Sequence, residues 1–292
     1  MSNPGWHRSA NLLAVRLRRF LLLVAAATLV LSVGPSGVPD IHRAEVQGQG
    51  GGGPIAVALA PSASPTPSSP PAPSAPANPY LAMVPKFDPA PLAQPIAVPP
   101  GPVAPIYHRL PVPQRVAFLT MDDGQVQLPE AIPLMQAAHI RFTMFLIAPV
   151  AAQNPSFFQQ LVAAGGVIED HTITHPEMKG KSYAFQRHEV CDAKGSLEQT
   201  FGTHLRFFRP PYGDYDQTTL RAVHDCGLTA AFHWSETVND GKVFYQTDDH
   251  HIAAGDIILM HFRPAFVQDV LAALTAIHDA GLTPALLEDY FV

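Results

Sequence analysis

From residue 115 to the C-terminus, apolar residues fall into two kinds of run that take turns along the chain. Short, nearly unbroken runs rich in β-branched and aromatic residues, at 115–121, 141–147, 166–169, 228–234 and 255–262, predict buried strands. Longer stretches with spaced apolar positions, at 128–139, 155–164, 184–201, 217–226 and 264–280, predict helices. Gly165, Gly202, Gly227 and Gly281 stand where four of these helices should end. Alternating strands and helices predict an α/β fold. Its sheet or barrel is parallel, its helices lie outside, and its chemistry sits on the loops of one face. The folded domain is placed at 108–292, about 185 residues, which is short for a regular eightfold barrel of about 250.

Upstream the pattern is different. Residues 1–19 contain no acid and carry Arg8, Arg16, Arg18 and Arg19, and residues 20–33 are apolar. A basic start followed by such a run has the form of a secretory signal, and it is close to the roughly 20 residues that a spanning helix needs. Residues 1–36 are therefore expected to be a signal peptide or an uncleaved N-terminal membrane anchor. Either form orients the remainder outside the cytoplasm. Residues 37–107 hold a four-glycine run and a Pro/Ser/Ala tract, and 22 of the 31 prolines precede Arg115. No charge lies between Glu45 and Lys86. Such a composition buries too little apolar surface to offset its ordering entropy, so this stretch is expected to be a disordered, extended tether. The expected location is extracytoplasmic, secreted or membrane-anchored.

The net charge of −6 and the pI near 6.1 argue against nucleic acid as a partner, because a phosphate-binding surface needs a basic excess. Cys191 and Cys226 form no C-x-x-C pair, which argues against a thiolate metal cluster or a dithiol redox site. They fall on helices flanking adjacent strands. Outside the cytoplasm a disulfide between them is one expectation and free buried thiols the other. Oligomeric state is not legible.

Four short motifs carry chemistry. The strand at 115–121 runs into Asp122, Asp123 and Gly124, placing two carboxylates at a strand end, where active sites of parallel α/β folds lie. His171 and His175 follow the strand at 166–169. Four residues apart on a helical turn they would face one way, and with one carboxylate they make a three-ligand metal set with a position left open. Arg209-Pro210-Pro211-Tyr212-Gly213 fixes an extended backbone behind an arginine able to hold a buried carboxylate ionised. A last apolar strand ends in His261. Each motif alone has an ordinary reading as turn, surface histidine or strand end.

Together, T-M-D-D-G, H-T-I-T-H, R-P-P-Y-G and L-M-H resemble, in order and spacing, the motifs of the polysaccharide deacetylases, the NodB-homology domain of carbohydrate esterase family 4. The resemblance covers residue 115 to the C-terminus and implies a distorted (β/α) barrel with fewer strands than a regular one. It implies that Asp123, His171 and His175 bind a divalent metal, usually zinc. Asp122 would be the general base, Arg209 its orienting partner, the Tyr212 backbone N–H an oxyanion donor, and His261 the general acid. Leu259, Trp234 and Pro211 would contact substrate, and Thr172 would hold the histidine loop. One departure stands out. The family has an Asp-rich segment ending in Trp that supports the general-acid histidine, whereas here residues 233–241 keep Trp234 and displace the acid. Glu236, or failing that Asp240, is expected to substitute. His250 and His251 read as solvated.

The implied function is metal-dependent removal of N-acetyl groups from an extracellular or cell-wall polysaccharide such as peptidoglycan or a chitin-like polymer. An O-acetyl esterase on a xylan-like glycan and a tethered glycan-binding module without catalysis are the alternatives. An iron oxygenase has the right ligand types but gives Asp122, Arg209 and His261 no role.

Overall fold

The computed structural model describes residues 78–246, 248 and 250–291. The signal or anchor segment and the first part of the tether, residues 1–77, lie outside the described residues. No helix among the described residues is long and apolar enough to cross a membrane.

Ten strands form one curled sheet: β1 (Ile106–Tyr107), β2 (Val116–Asp123), β3 (Phe142–Leu146), β4 (Gly166–Asp170), β5 (Phe207–Phe208), β6 (Ala230–Phe232), β7 (Glu236–Asn239), β8 (Lys242–Tyr245), β9 (Ile257–His261) and β10 (Thr283–Ala285). Their order is β1-β6-β5-β4-β3-β2-β9-β7-β8, with β10 paired to the start of β2. Every pairing is parallel except that of β7 with β8. The path does not close, so the expected distorted barrel is an open one with β1 and β8 at its edges. Among the described residues six α-helices accompany the sheet: α1 (Ala131–Ala138), α2 (Ala148–Ala151), α3 (Pro155–Ala163), α4 (Tyr183–Phe201), α5 (Gln217–Asp225) and α6 (Phe266–Asp279).

Strand alternation sorts the core into two layers. On β2, Ala117, Leu119 and Met121 join the outer layer shared with the helices. Val116 and Phe118 join an inner cluster with Phe145, Phe207, Phe232 and Ile257. All eight residues of β2 are buried, which is why this strand reads as an unbroken apolar run up to its acids. Helix α6 buries Phe266, Asp269, Val270, Ala273, Leu274 and Ile277, the three- and four-residue spacing of one helical face. Ser182 caps α4 by accepting the Phe185 N–H, and Asp216 and Thr219 form a reciprocal capping box on α5. Cys191 of α4 and Cys226, just past α5, are joined in a disulfide, so of the two expectations the bonded form is the one found.

The tether assignment needs correction at its end. Residues 78–107 are not free chain. Tyr80, Leu81, Val84 and Phe87 pack on the outer core, and Ala93, Ile96 and Val98 on the inner cluster. The Ile96 N–H donates to the Tyr290 carbonyl and the Ala104 N–H to that of Leu220, and β1 adds the sheet's edge strand. The prolines here leave few N–H groups needing partners, while the interspersed apolar side chains find a surface to cover.

Candidate active site

The site is built where β2, β4, β5 and β9 end. Adjacent residues on a strand point to opposite faces, so Asp122 and Asp123 should diverge. The chain avoids this by turning Asp123 into the left-handed region, φ 76°. Gly124 follows at φ 85°, and its N–H donates to the Asp122 carbonyl at 3.1 Å. A Cβ on Gly124 would lie 2.9 Å from the Phe158 ring, so the bend requires glycine.

The histidines come from a loop, not from the helical turn that their spacing predicts. Thr172 and His175 both have positive φ, 71° and 55°. The Thr172 N–H donates to Asp170 at 2.8 Å, and the His175 N–H to the Thr172 hydroxyl at 3.1 Å. Glu189 of α4 accepts the N–H groups of Ile173 and Thr174 and the Thr174 hydroxyl. Side-chain acceptors thus replace the helix ladder and hold a strained loop in one shape.

The His171 Nε2 lies 3.5 Å and the His175 Nε2 3.3 Å from one Asp123 carboxylate oxygen. One ligand atom from each of the three residues falls within 4.8 Å of the others, a set able to hold a metal ion. The donor chemistry fits. His171 Nδ1–H donates to the Arg209 carbonyl at 2.8 Å, leaving Nε2 as a lone pair facing the cluster. That Asp123 oxygen is buried and has no hydrogen-bond donor of ordinary geometry. Burial would raise the Asp123 carboxyl, but the two imidazoles outweigh it and hold it well below the usual carboxylate range.

Asp122 is handled separately. One of its oxygens accepts from Arg209 Nη1 at 2.8 Å, and the other lies 3.7 Å from His171 Nε2. Arg209 is fully buried. It also donates to the Thr120 hydroxyl and to the carbonyls of Phe232 and His233, and it sits over the Phe145 ring at 4.3 Å. His261 pairs in register with Asp122 across β9 and β2, which brings it to the same strand-end level. Burial lowers its pKa, the Asp122 charge works against that, and Arg263 reinforces the lowering.

A cleft of about 460 Å³ opens over this cluster, lined by Asp122, Asp123, His171, His175 and His261 below and by Tyr212, Trp234, Leu259, Phe244 and Arg263 among others around it. A larger groove of about 750 Å³ beside α6 carries none of these groups. Tyr212 sits at φ 60° in the turn after β5; the N–H groups of Gly213 and Asp214 close that turn, and Tyr212's is its remaining donor. Its ring meets His175 at 4.6 Å. Leu259 and Trp234 line the cleft, whereas Pro211 is buried under the turn and does not.

Glu236 also departs from expectation. It lies on β7 in register with Tyr245 and Ile258. Its neighbours Thr237 and Asn239 line the cleft, so alternation turns Glu236 to the opposite face, away from His261. Asp240 occupies the β7–β8 turn and lines the separate groove. Neither acid takes the supporting position, and His261 Nδ1 is buried without a hydrogen-bond partner among the described residues.

The sequence reading missed the β7–β8 hairpin and with it Thr237, Asn239 and Phe244. The signal was present: Asn239-Asp240-Gly241 between alternating segments is a tight-hairpin pattern, and Asp240 and Gly241 both have positive φ, 52° and 70°. It also missed Thr120 and Glu189, polar residues whose roles appear only once the chain is folded.

With this geometry in view, the similarities to other proteins are specific. The polysaccharide deacetylase family model matches residues 109–231. An uncharacterized protein of Streptomyces coelicolor is 35% identical over 180 residues, 60% of this chain and 72% of its own length. A chitooligosaccharide deacetylase of Sinorhizobium fredii is 26% identical over 186 residues, 56% and 86% of the two chains. Among solved structures, a carbohydrate esterase family 4 pseudoenzyme from Bacillus anthracis has the same fold. Its TM-score is 0.55 at 19% identity, over 63% of this chain and 68% of that one. The chain belongs to the polysaccharide deacetylase family, as the motif resemblance implied.

Proposed function

We propose that this protein is a divalent-metal-dependent hydrolase that removes N-acetyl groups from an acetylated polysaccharide outside the cytoplasm. The observation that carries the reading is the convergence of Asp122, Asp123, His171, His175 and His261 from three separate stretches onto one cleft, with buried Arg209 from a fourth paired to Asp122. The relative from Sinorhizobium, a chitooligosaccharide deacetylase, supports N-acetyl chemistry. The Cys191–Cys226 disulfide and the basic–apolar N-terminal segment support an extracytoplasmic site of action.

Asp123, His171 and His175 would hold the metal, zinc being the ion that suits two imidazoles and a carboxylate. Bound there, such an ion supplies Lewis acidity for an acetyl carbonyl and lowers the pKa of water. The chain's own groups do the rest. Asp122, held in place by Arg209, takes a proton from the attacking water. The Tyr212 N–H donates to the developing oxyanion. His261 delivers a proton to the leaving nitrogen, which an amide requires. Leu259 and Trp234 enclose the acetyl methyl.

The test is acetate release from chitin oligomers, peptidoglycan fragments and acetylxylan, with bound metal measured on the same protein. Release from the N-acetylated glycans supports the reading, and release from acetylxylan alone would make the protein an O-acetyl esterase. Retained metal with no acetate from any of them would leave a glycan-binding module without catalysis.

A further inference from the structure

The hairpin side of the cleft carries a charge to which the proposed deacetylation steps assign no bond-making role. Arg263 is exposed, lines the cleft, and follows His261 by two residues, so its α-carbon lies within about 7 Å of that of the general acid. Its side chain's one hydrogen bond among the described residues runs from Nη1 to the Asn239 side-chain oxygen at 3.0 Å. No carboxylate among the described residues comes within ion-pair distance of it. Asp122 is engaged by Arg209, Asp123 by the two histidines, and Asp269 is buried and accepts the Gly241 N–H at 2.7 Å. Arginine has five donors, and four are unused here. Asn239 holds one edge of the guanidinium, which fixes the direction of the rest. A fork held in this way matches a carboxylate in two-point contact. Beside it, Phe244 is 51% and Tyr212 67% exposed, apolar rings of the kind that cover sugar faces.

A neutral N-acetylglucosamine polymer offers this cation hydrogen-bond acceptors but no counter-charge. We propose that Arg263, aimed by Asn239, is a specificity-determining residue that selects acetylated glycans bearing a carboxylate on a sugar seated in the cleft. The inference rests on the deacetylase reading for its substrate class. The opposing possibility is that Arg263 only pins the β7–β8 hairpin to the end of β9.

The experiment uses two acid-bearing glycans: chitin oligomers with C6 oxidised to carboxylate, and peptidoglycan strands stripped of peptide so that their lactyl carboxylates are free. Each is run beside its own methylamidated, neutral form. The readout is the ratio of kcat/KM for the acidic form to that for the neutral form. It is paired with the same ratio of binding constants, measured by calorimetry on the Asp122→Asn protein. The wild-type ratio should be about tenfold or more for at least one pair, as expected for a charge-assisted contact. Arg263→Gln should bring that ratio to about one, through KM rather than kcat, and Arg263→Lys should keep part of it. A wild-type ratio near one in both readouts overturns the proposal. So does an equal loss on acidic and neutral forms in Arg263→Gln with a lowered Tm, the signature of a hairpin pin. Absent turnover on every glycan, with an acid preference in binding that Arg263→Gln abolishes, would refute the deacetylase reading and uphold this one.

Discussion

Replacing Asp122 by Asn separates the proposed base from the proposed metal set, because the structure gives Asp122 and Asp123 different partners. Asn keeps the shape and one acceptor oxygen but cannot take a proton. A positioned general base contributes roughly 10²–10⁴ in rate, about 3–5 kcal/mol of barrier. The same substitution leaves the fully buried Arg209 without its counter-charge. Breaking a buried ion pair costs about 3–5 kcal/mol. Here the guanidinium retains the Thr120 hydroxyl and the Phe232 and His233 carbonyls, and the Asn oxygen still accepts from Nη1. The cost should therefore fall at or below the bottom of that range, about 2–3 kcal/mol, or a Tm lowered by about 4–12 °C for a domain of this size. The assay is acetate release at matched metal content beside a thermal melt. Turnover should fall at least a hundredfold, with metal stoichiometry unchanged and Tm lowered. Activity within threefold of wild type would refute the base assignment. Loss of metal in step with activity would make Asp122 a ligand rather than the base.

Other substitutions probe neighbouring features. His175→Ala leaves Asp123 and His171 as a two-residue set, so dialysed protein should lose its metal while remaining folded; full metal occupancy would exclude His175 as a ligand. Gly124→Ala forces a side chain onto φ 85° and to within 2.9 Å of Phe158, costing about 1–2 kcal/mol in the left-handed region alone. It should displace Asp123, so activity should fall by more than the Tm loss explains, and unchanged kinetics would show that the bend does not aim the carboxylate. Glu288 accepts the Thr143 hydroxyl inside the barrel and is pushed up to about 7 by burial, and it in turn helps raise Glu169. The unfolded chain sheds this proton near pH 4.5 and the folded one near 7, so stability should decline as pH rises through that window and stay reduced above it. Glu288→Gln should flatten the decline by on the order of 1–2 kcal/mol in melts at pH 5 and pH 8, and an unchanged difference between the two melts would remove Glu288 as its source.

Much of this molecule is legible in its residues because its strands are buried on both faces. Val116 to Met121 can only be a central strand, and the acids that interrupt it can only mark its end. The helices between such strands show their apolar spacing and their glycine or polar ends, so their bounds fall within a few residues of 131–138, 155–163, 183–201, 217–225 and 266–279. What fails to read is structure stabilised by contacts distant in sequence. Nothing within residues 171–175 announces that Glu189 and Asp170 will hold them as a strained loop instead of a helical turn. Nothing within residues 78–107 separates a free Pro-rich tether from one laid over two cores, since the deciding partners, Leu220 and Tyr290, come more than a hundred residues later.

The hairpin at 236–245 is an instructive case. Its Asp240-Gly241 turn and alternating flanks are local signals, yet Glu236 and Asp240 also look like a displaced catalytic acid, and only one interpretation can use them. The fold decides by strand parity. Because Thr237 and Asn239 face the cleft, Glu236 cannot, and what this side of the cleft adds to Asp122 and Asp123 around His261 is the cation Arg263 rather than a further carboxylate. A carboxylate there would hold His261 protonated to higher pH. Burial and Arg263 together push its proton affinity below that of an ordinary histidine. His261, as the proposed general acid, should therefore lose its proton, and the enzyme its rate, at lower pH than in an enzyme whose histidine is backed by an acid. Arg263→Gln should move that alkaline limb upward in a kcat/KM profile on neutral glycan, and an unmoved limb would show that Arg263's charge does not reach the imidazole.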